Sequence, residues 1–378
     1  MRIGYIYNPA RLSPGAHYTE ILDDIRRTAV YCDENGYDSF WLNEHHFGFW
    51  GRTPLPNPVM MAADIAARTS RIRIGFASVI IPFWNPIRLA EDLALLDQLS
   101  GGRIDLGMGR GNYPVEALNL NPMANPQDQA ANYKVFEETL EVLKRSFSNQ
   151  YFEFHGEKYN YPAKGSTWDR TIPSDSSEFF DLETKEFTKL GLMPRPIQQP
   201  YPPLWQVVDS TRSIEFAARQ DMRFIMWRPP AAKLAEHYQI YLKAAEASGI
   251  KPAATGPSVL RDTYIADSME LAKSEGGPHI MRSLNFSNWR GPEIFLQPGE
   301  VLDHDHEQKL RKELDYDWVH PRSLLFGTAD YVIERIQELR DVANTELVLL
   351  SSGSLGTELA KISLQRFTER VLPTARNI

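Results

Sequence analysis

Seven residues, Trp41 to Phe47 (WLNEHHF), set the carboxylate of Glu44 beside the adjacent imidazoles of His45 and His46 at the end of an apolar run. That combination suits proton transfer near neutral pH or a metal ion. The metal is disfavoured. The helical spacing that puts two histidines on one face is absent, and neighbours in an extended chain point to opposite sides, so His45 and His46 converge poorly on one ion. From these residues alone, a proton-transferring histidine and one that satisfies hydrogen bonds at a strand end remain equal readings.

Two further stretches could bind a ligand. In LGMGRGNY, Leu106 to Tyr113, glycines at 107, 109 and 111 allow a flat ligand or a neighbouring backbone close in, and Arg110 offers a permanently charged planar fork for a phosphate. The GxGxG spacing lacks the third glycine of a dinucleotide fingerprint, so a glycine-rich strand exit with a surface arginine competes with it. In VVDSTRSIEFAARQD (207–221), Asp209, Ser210 and Ser213 stand where a strand meets a helix, with Arg212 adding charge. Free N–H groups and hydroxyls at a helix start favour an anion, and simple capping is the competing explanation.

Something must position these stretches. Eight β-rich runs, at 2–7, 37–43, 71–81, 102–109, 204–208, 223–227, 257–266 and 346–352, alternate with amphipathic segments. Such alternation implies parallel strands with crossover helices. Eight units predict an α/β fold, a (β/α)8 TIM barrel, whose active site gathers at the C-terminal strand ends where all three stretches fall. A doubly wound sheet would carry a glycine turn after its first strand, and NPARLSPG is a poor one. Asn57 with Pro58 starts a helix, and Gly101 with Gly102 ends another. The pattern lapses at about 150–202 and 274–322, which are expected as insertions after strands 4 and 7 of a single domain spanning 1–378.

Composition narrows the function classes. The formal net charge of -8 argues against nucleic acid as the main partner. No run approaches the roughly 18 apolar residues of a membrane span, and MRIGYIYNP lacks a signal-peptide core, so a cytoplasmic protein without a membrane partner is expected. The single cysteine, Cys32, excludes an intramolecular disulfide and sits in a helical run, as a structural thiol would. Aromatic stretches at 47–50, 82–84 and 286–295 suggest an apolar pocket, and 274–322 suggests a lid.

Together the segments FWLNEHHF, GFASVIIPFWNPIRLAEDLALLDQLSGGRIDLGMGRGNY, MPRPIQQPYPPLWQVVDSTRSIEFAARQD and GTADYVIERIQEL resemble the bacterial luciferase family of flavin-dependent monooxygenases. The resemblance implies a TIM barrel that binds reduced FMN at its mouth and forms a homodimer. It implies that His45 is catalytic, with Glu44 and His46 beside it. Ala77 and Ser78 match the pair under the flavin ring, often joined by a cis peptide. Arg110 matches the phosphate arginine, with Gly109, Asn112 and Tyr113 in the same stretch, and Asp209, Ser210 and Ser213 match the phosphate cluster. Gly109 stands where light-emitting members carry a reactive cysteine and Asn112 replaces an apolar residue, so a non-luminescent member is expected.

The implied reaction is that of a two-component monooxygenase. A separate NAD(P)H:flavin reductase supplies reduced FMN, O2 adds as a flavin 4a-(hydro)peroxide, and a hydrophobic small molecule is oxygenated by Baeyer–Villiger chemistry or hydroxylation. No metal is expected. The alternatives are a deazaflavin-dependent oxidoreductase transferring hydride in the same fold and a non-catalytic flavin-binding protein.

Overall fold

The computed structural model describes residues 1–9, 15, 17–48, 54–172, 176–288 and 291–378. Phe49, Trp50, Trp289 and Arg290, from two of the aromatic stretches, lie outside the described residues.

Eight parallel strands close on themselves: β1 (Arg2–Ile6), β2 (Ser39–Leu42), β3 (Arg73–Phe76), β4 (Ile104–Gly109), β5 (Leu204–Val208), β6 (Arg223–Trp227), β7 (Ser258–Ile265) and β8 (Leu347–Ser351). Each pairs with its chain neighbours, and β8 returns to β1 with Arg2 opposite Leu347. The long run expected at 71–81 is interrupted. β3 ends at Phe76, a cis peptide joins Ala77 to Ser78, and only Val79–Ile80 resumes pairing, against Met108 and Gly109.

The crossover helices include α1 (Tyr18–Glu34), α2 (Pro58–Ala66), α3 (Pro86–Ser100), α4 (Gln129–Ser148), α5 (Thr211–Arg219), α6 (Ala231–Ala247), α7 (Ala329–Ala343) and α8 (Thr357–Arg370). Local chemistry sets their ends. Asn57 accepts from the N–H of Met60 at 2.8 Å to start α2. Asn85 accepts from Ile87 and Arg88 to start α3, which stops at Gly101 with φ 66°.

Large inward side chains plug the barrel: Ile6, Trp41, Trp205, Ile225, Leu347 and Leu349, with the two indoles edge to face at 5.3 Å. Beneath them Arg73 pairs with Asp105 at 2.8 Å, and Trp205 donates to the same carboxylate. The lower barrel is therefore solid, and chemistry is confined to the C-terminal strand ends.

Among the described residues the first insertion, which follows α4, carries three short antiparallel strand pairs between Tyr151 and Gly191. The second differs from the irregular stretch expected at 274–322. It contains helices at Gly277–Phe286, His304–Lys312 and Tyr316–Ser323, followed by a short strand, Leu325–Gly327, on β7. Leu284, Phe295, Leu310, Val319 and Phe326 bury their own apolar cluster here. The helices are short, one is almost wholly polar, and Pro321 lies inside another, so periodicity alone does not reveal them.

Candidate active site

The three sequence stretches meet at the C-terminal barrel end. The segment after β2 is pinned at each residue. The N–H of Glu44 donates to the Ser78 carbonyl at 3.1 Å, that of His45 to the Leu55 carbonyl at 3.2 Å, and that of His46 to Glu116 Oε1 at 2.8 Å.

Each histidine takes its own carboxylate. His46 Nε2 lies 3.0 Å from Glu44 Oε1. Glu44, only 2% exposed, also accepts from the Ile80 N–H at 2.7 Å and the Trp84 indole N–H at 3.1 Å. Burial lifts its pKa above the ordinary glutamate value, against the pull of these donors. His45 Nδ1 lies 3.5 Å from Glu116 Oε1, and its ring centroid is 5.9 Å from that of Tyr113. Among the described residues no cluster of His, Cys, Asp and Glu could hold a metal.

The glycines after β4 accommodate protein first. A Cβ on Gly107 would fall 1.5 Å from the Phe76 carbonyl oxygen, so the neighbouring backbone requires that glycine. At Gly109 a Cβ would meet Ser78 Oγ at 2.2 Å and Ile80 Cδ1 at 3.0 Å. Gly111 adopts φ 85° and lies against Phe83. Overpacking of this kind costs about 1–3 kcal/mol. Gly109→Cys is therefore expected to lower stability by about that amount in denaturant unfolding, and less in a Ser78→Ala background. Equal costs in both backgrounds would show that Ser78 is not the obstacle.

Arg110 leaves the strand toward α4, where its Nη1 donates to Asn132 Oδ1 at 2.6 Å and Gln129 Oε1 at 3.2 Å. Its guanidinium carbon lies 3.7 Å from the Tyr133 ring centroid, and that of Arg212 lies 3.8 Å from the same centroid. Burial holds Arg110 below its usual pKa. Tyr133 and Asp209 pull it up, while Arg212 presses it down. The two cations thus share one ring, and the hydrogen-bond acceptors of Arg110 are neutral amides, an arrangement suited to an anion.

Ser210 caps α5, the helix that carries Arg212 in its first turn. Its Oγ accepts from the Ser213 N–H at 3.4 Å, and Ser213 Oγ accepts from the Ser210 N–H at 3.2 Å. The capping explanation thus holds for both hydroxyls, and the helix start, with Arg212 in its first turn, is exposed. Asn112 is exposed. Two buried polar atoms at this barrel end, Asn43 Oδ1 and Trp227 Nε1, have no partner among the described residues.

Sequence reasoning missed Glu116, Tyr133 and Asn132. Glu116 lies in the first turn of the helix Pro114–Leu120, where an acid reads as a partner of the helix dipole. Tyr133 and Asn132 occur on an amphipathic helix as ordinary inward-facing residues.

A family model described as luciferase-like monooxygenase matches residues 1–346. The chain is 25% identical over 380 residues to the flavin-dependent trigonelline monooxygenase, oxygenase component, of Acinetobacter baylyi, covering 99% of this chain and 95% of that one. Among solved structures, the oxygenating constituent of 3,6-diketocamphane monooxygenase of Pseudomonas putida, a type II Baeyer–Villiger monooxygenase in complex with FMN, superposes with TM-score 0.76 at 20% identity over 99% of this chain and 98% of that one. A coenzyme F420-dependent secondary alcohol dehydrogenase superposes with TM-score 0.69 at 16% identity over 99% of both chains.

Proposed function

This chain belongs to the luciferase-like monooxygenase family, and on that footing we propose that it is the oxygenase of a two-component system that uses reduced FMN and O2 to oxygenate a hydrophobic small molecule. The observation that carries the reading is the convergence, at one barrel end, of a two-arginine anion cradle and an imidazole 3.5 Å from a buried carboxylate. Baeyer–Villiger oxidation and hydroxylation both fit it.

The residues present suit FMN. Arg110 and Arg212, with the start of α5 at Asp209, Ser210 and Ser213, would hold the phosphate. The Ala77–Ser78 peptide would lie under the flat ring, and Gly109, Asn112 and Tyr113 would line the approach. Reduced FMN, when bound, supplies two electrons for activating O2, of which one atom enters the substrate and the other leaves as water.

The chain's own groups do the rest. His45 would hold and move a proton at Nε2, the ring nitrogen other than the Nδ1 that faces Glu116. Glu44 and His46 bond to one another, and Glu44 also accepts from the Ile80 N–H, which gives the pair a positioning role beside His45 rather than a share in the proton transfer. Trp84 and Phe83 close that side with apolar surface and help exclude water.

A separate NAD(P)H:flavin reductase would supply the reduced cofactor, since the GxGxG spacing lacks the third glycine of a dinucleotide fingerprint. Among the described residues no helix is long and apolar enough to cross a membrane, consistent with work alongside such a partner in the cytoplasm. A homodimer is favoured by Met60 on α2 and by Leu95 and Leu99 on α3, which leave apolar side chains 72%, 47% and 60% exposed on outer helices. Leu99→Glu is expected to give a folded monomer by sedimentation at micromolar concentration. An unchanged mass would place the interface elsewhere.

Equilibrium binding under anaerobic conditions tests the cofactor assignment. Reduced FMN should bind tighter than a reduced deazaflavin. The reverse order would favour hydride transfer, the chemistry attributed to the F420-dependent neighbour, and tight flavin binding without oxygen-dependent turnover would favour a flavin-binding protein.

A further inference from the structure

We propose that Glu116 is the positioning residue of His45, fixing both the placement of its imidazole and the nitrogen that carries the proton; the functional part of this inference rests on the reading above. Glu116 is 1% exposed. A single oxygen, Oε1, accepts the His46 N–H at 2.8 Å and stands 3.5 Å from His45 Nδ1. The backbone on both sides of His45 is held, by the Leu55 carbonyl and by Glu116 itself, so the ring is what remains to be oriented.

A carboxylate only accepts hydrogen bonds. Facing one, the neutral imidazole keeps its proton on Nδ1, and Nε2 is the unprotonated nitrogen. Without that partner, the opposite tautomer, which an isolated histidine side chain favours, becomes available. Glu116 thus prepares Nε2 to take a proton and then stabilises the imidazolium, as a buried carboxylate does for a catalytic histidine in other enzymes. The 3.5 Å approach is of the kind that shortens when a site fills. Among the described residues the ionisable groups placed against His45 include Glu116 and Tyr113, while Glu44 is engaged by His46.

The test uses flavin-free full-length protein with nitrogen-15 histidine. The chain has nine histidines, and the His45 signals are identified by their loss in His45→Gln. The wild type should show His45 protonated on Nδ1, and Glu116→Ala should shift it predominantly to Nε2. An unchanged tautomer in folded Glu116→Ala protein would overturn the proposal.

Should the alanine variant not fold, Glu116→Gln keeps an oxygen for the His46 N–H and removes only the charge. Loss of a neighbouring anion disfavours imidazolium, so the His45 protonation midpoint should fall by about one pH unit. An unmoved midpoint would also overturn it. Neither readout requires turnover. A wild type with the expected tautomer but no oxygen-dependent product would remove the monooxygenase reading and leave the positioning of His45 by Glu116 standing.

Discussion

His45→Ala is expected to consume O2 while making little product. Losing a positioned acid or base costs roughly 10²- to 10⁴-fold in rate, and reducing equivalents that no longer reach substrate should appear as hydrogen peroxide. Reduced-flavin affinity should change little, because the arginine cradle belongs to other elements, the exit of β4 and the start of α5. The measurement is product formed and peroxide released per O2 consumed, at matched flavin occupancy. His45→Ala protein with wild-type coupling would transfer the proton chemistry to another group. His46→Ala should behave differently. His46 bonds Glu44, which also carries the Ile80 and Trp84 N–H groups, so its loss should show chiefly in stability.

Arg110→Ala carries the second large effect. A hydrogen bond to a charged group is worth about 1.5–3 kcal/mol, which corresponds to roughly 10- to 150-fold in Kd for reduced FMN. The same variant should leave the affinity for riboflavin, which has no phosphate, nearly unchanged. Arg110→Lys should recover only part of the loss, because an ammonium keeps the charge but cannot reproduce the planar fork or its stacking on Tyr133. Equal losses for FMN and riboflavin would mean that Arg110 supports the fold of the β4 exit and does not read the phosphate.

The barrel was legible because its strands are short, β-rich and separated by well-capped helices. Asn57, Pro58 and Gly101 act in the structure as their residue types indicate. The helices of the second insertion escaped notice because their apolar face is completed only by partners such as Phe295 and Phe326, drawn from different segments. The site was legible in a similar way. Glu44, His45, His46 and Arg110 stand out by type at strand exits. Of the two readings of the glycines, close approach of a backbone applies at Gly107, against the Phe76 carbonyl, and Gly109 is crowded by Ser78, contacts between strands that no local pattern encodes. Glu116 lies 70 residues from the backbone N–H it accepts, and Tyr133 serves two arginines from different strand exits. Such pairings come from the closure of the barrel rather than from spacing along the chain.

The decisive measurement is stopped-flow mixing of the anaerobic complex with reduced FMN against oxygenated buffer, following oxygen consumption and the return of oxidised-flavin absorbance together. The expected result is that oxygen disappears first and oxidised flavin reappears later, with added substrate shortening the lag and gaining one oxygen atom from O2. Simultaneous oxygen loss and flavin reoxidation at the rate of free reduced FMN, or no reaction of the bound cofactor with oxygen, would contradict a monooxygenase built on His45 and the Arg110 cradle.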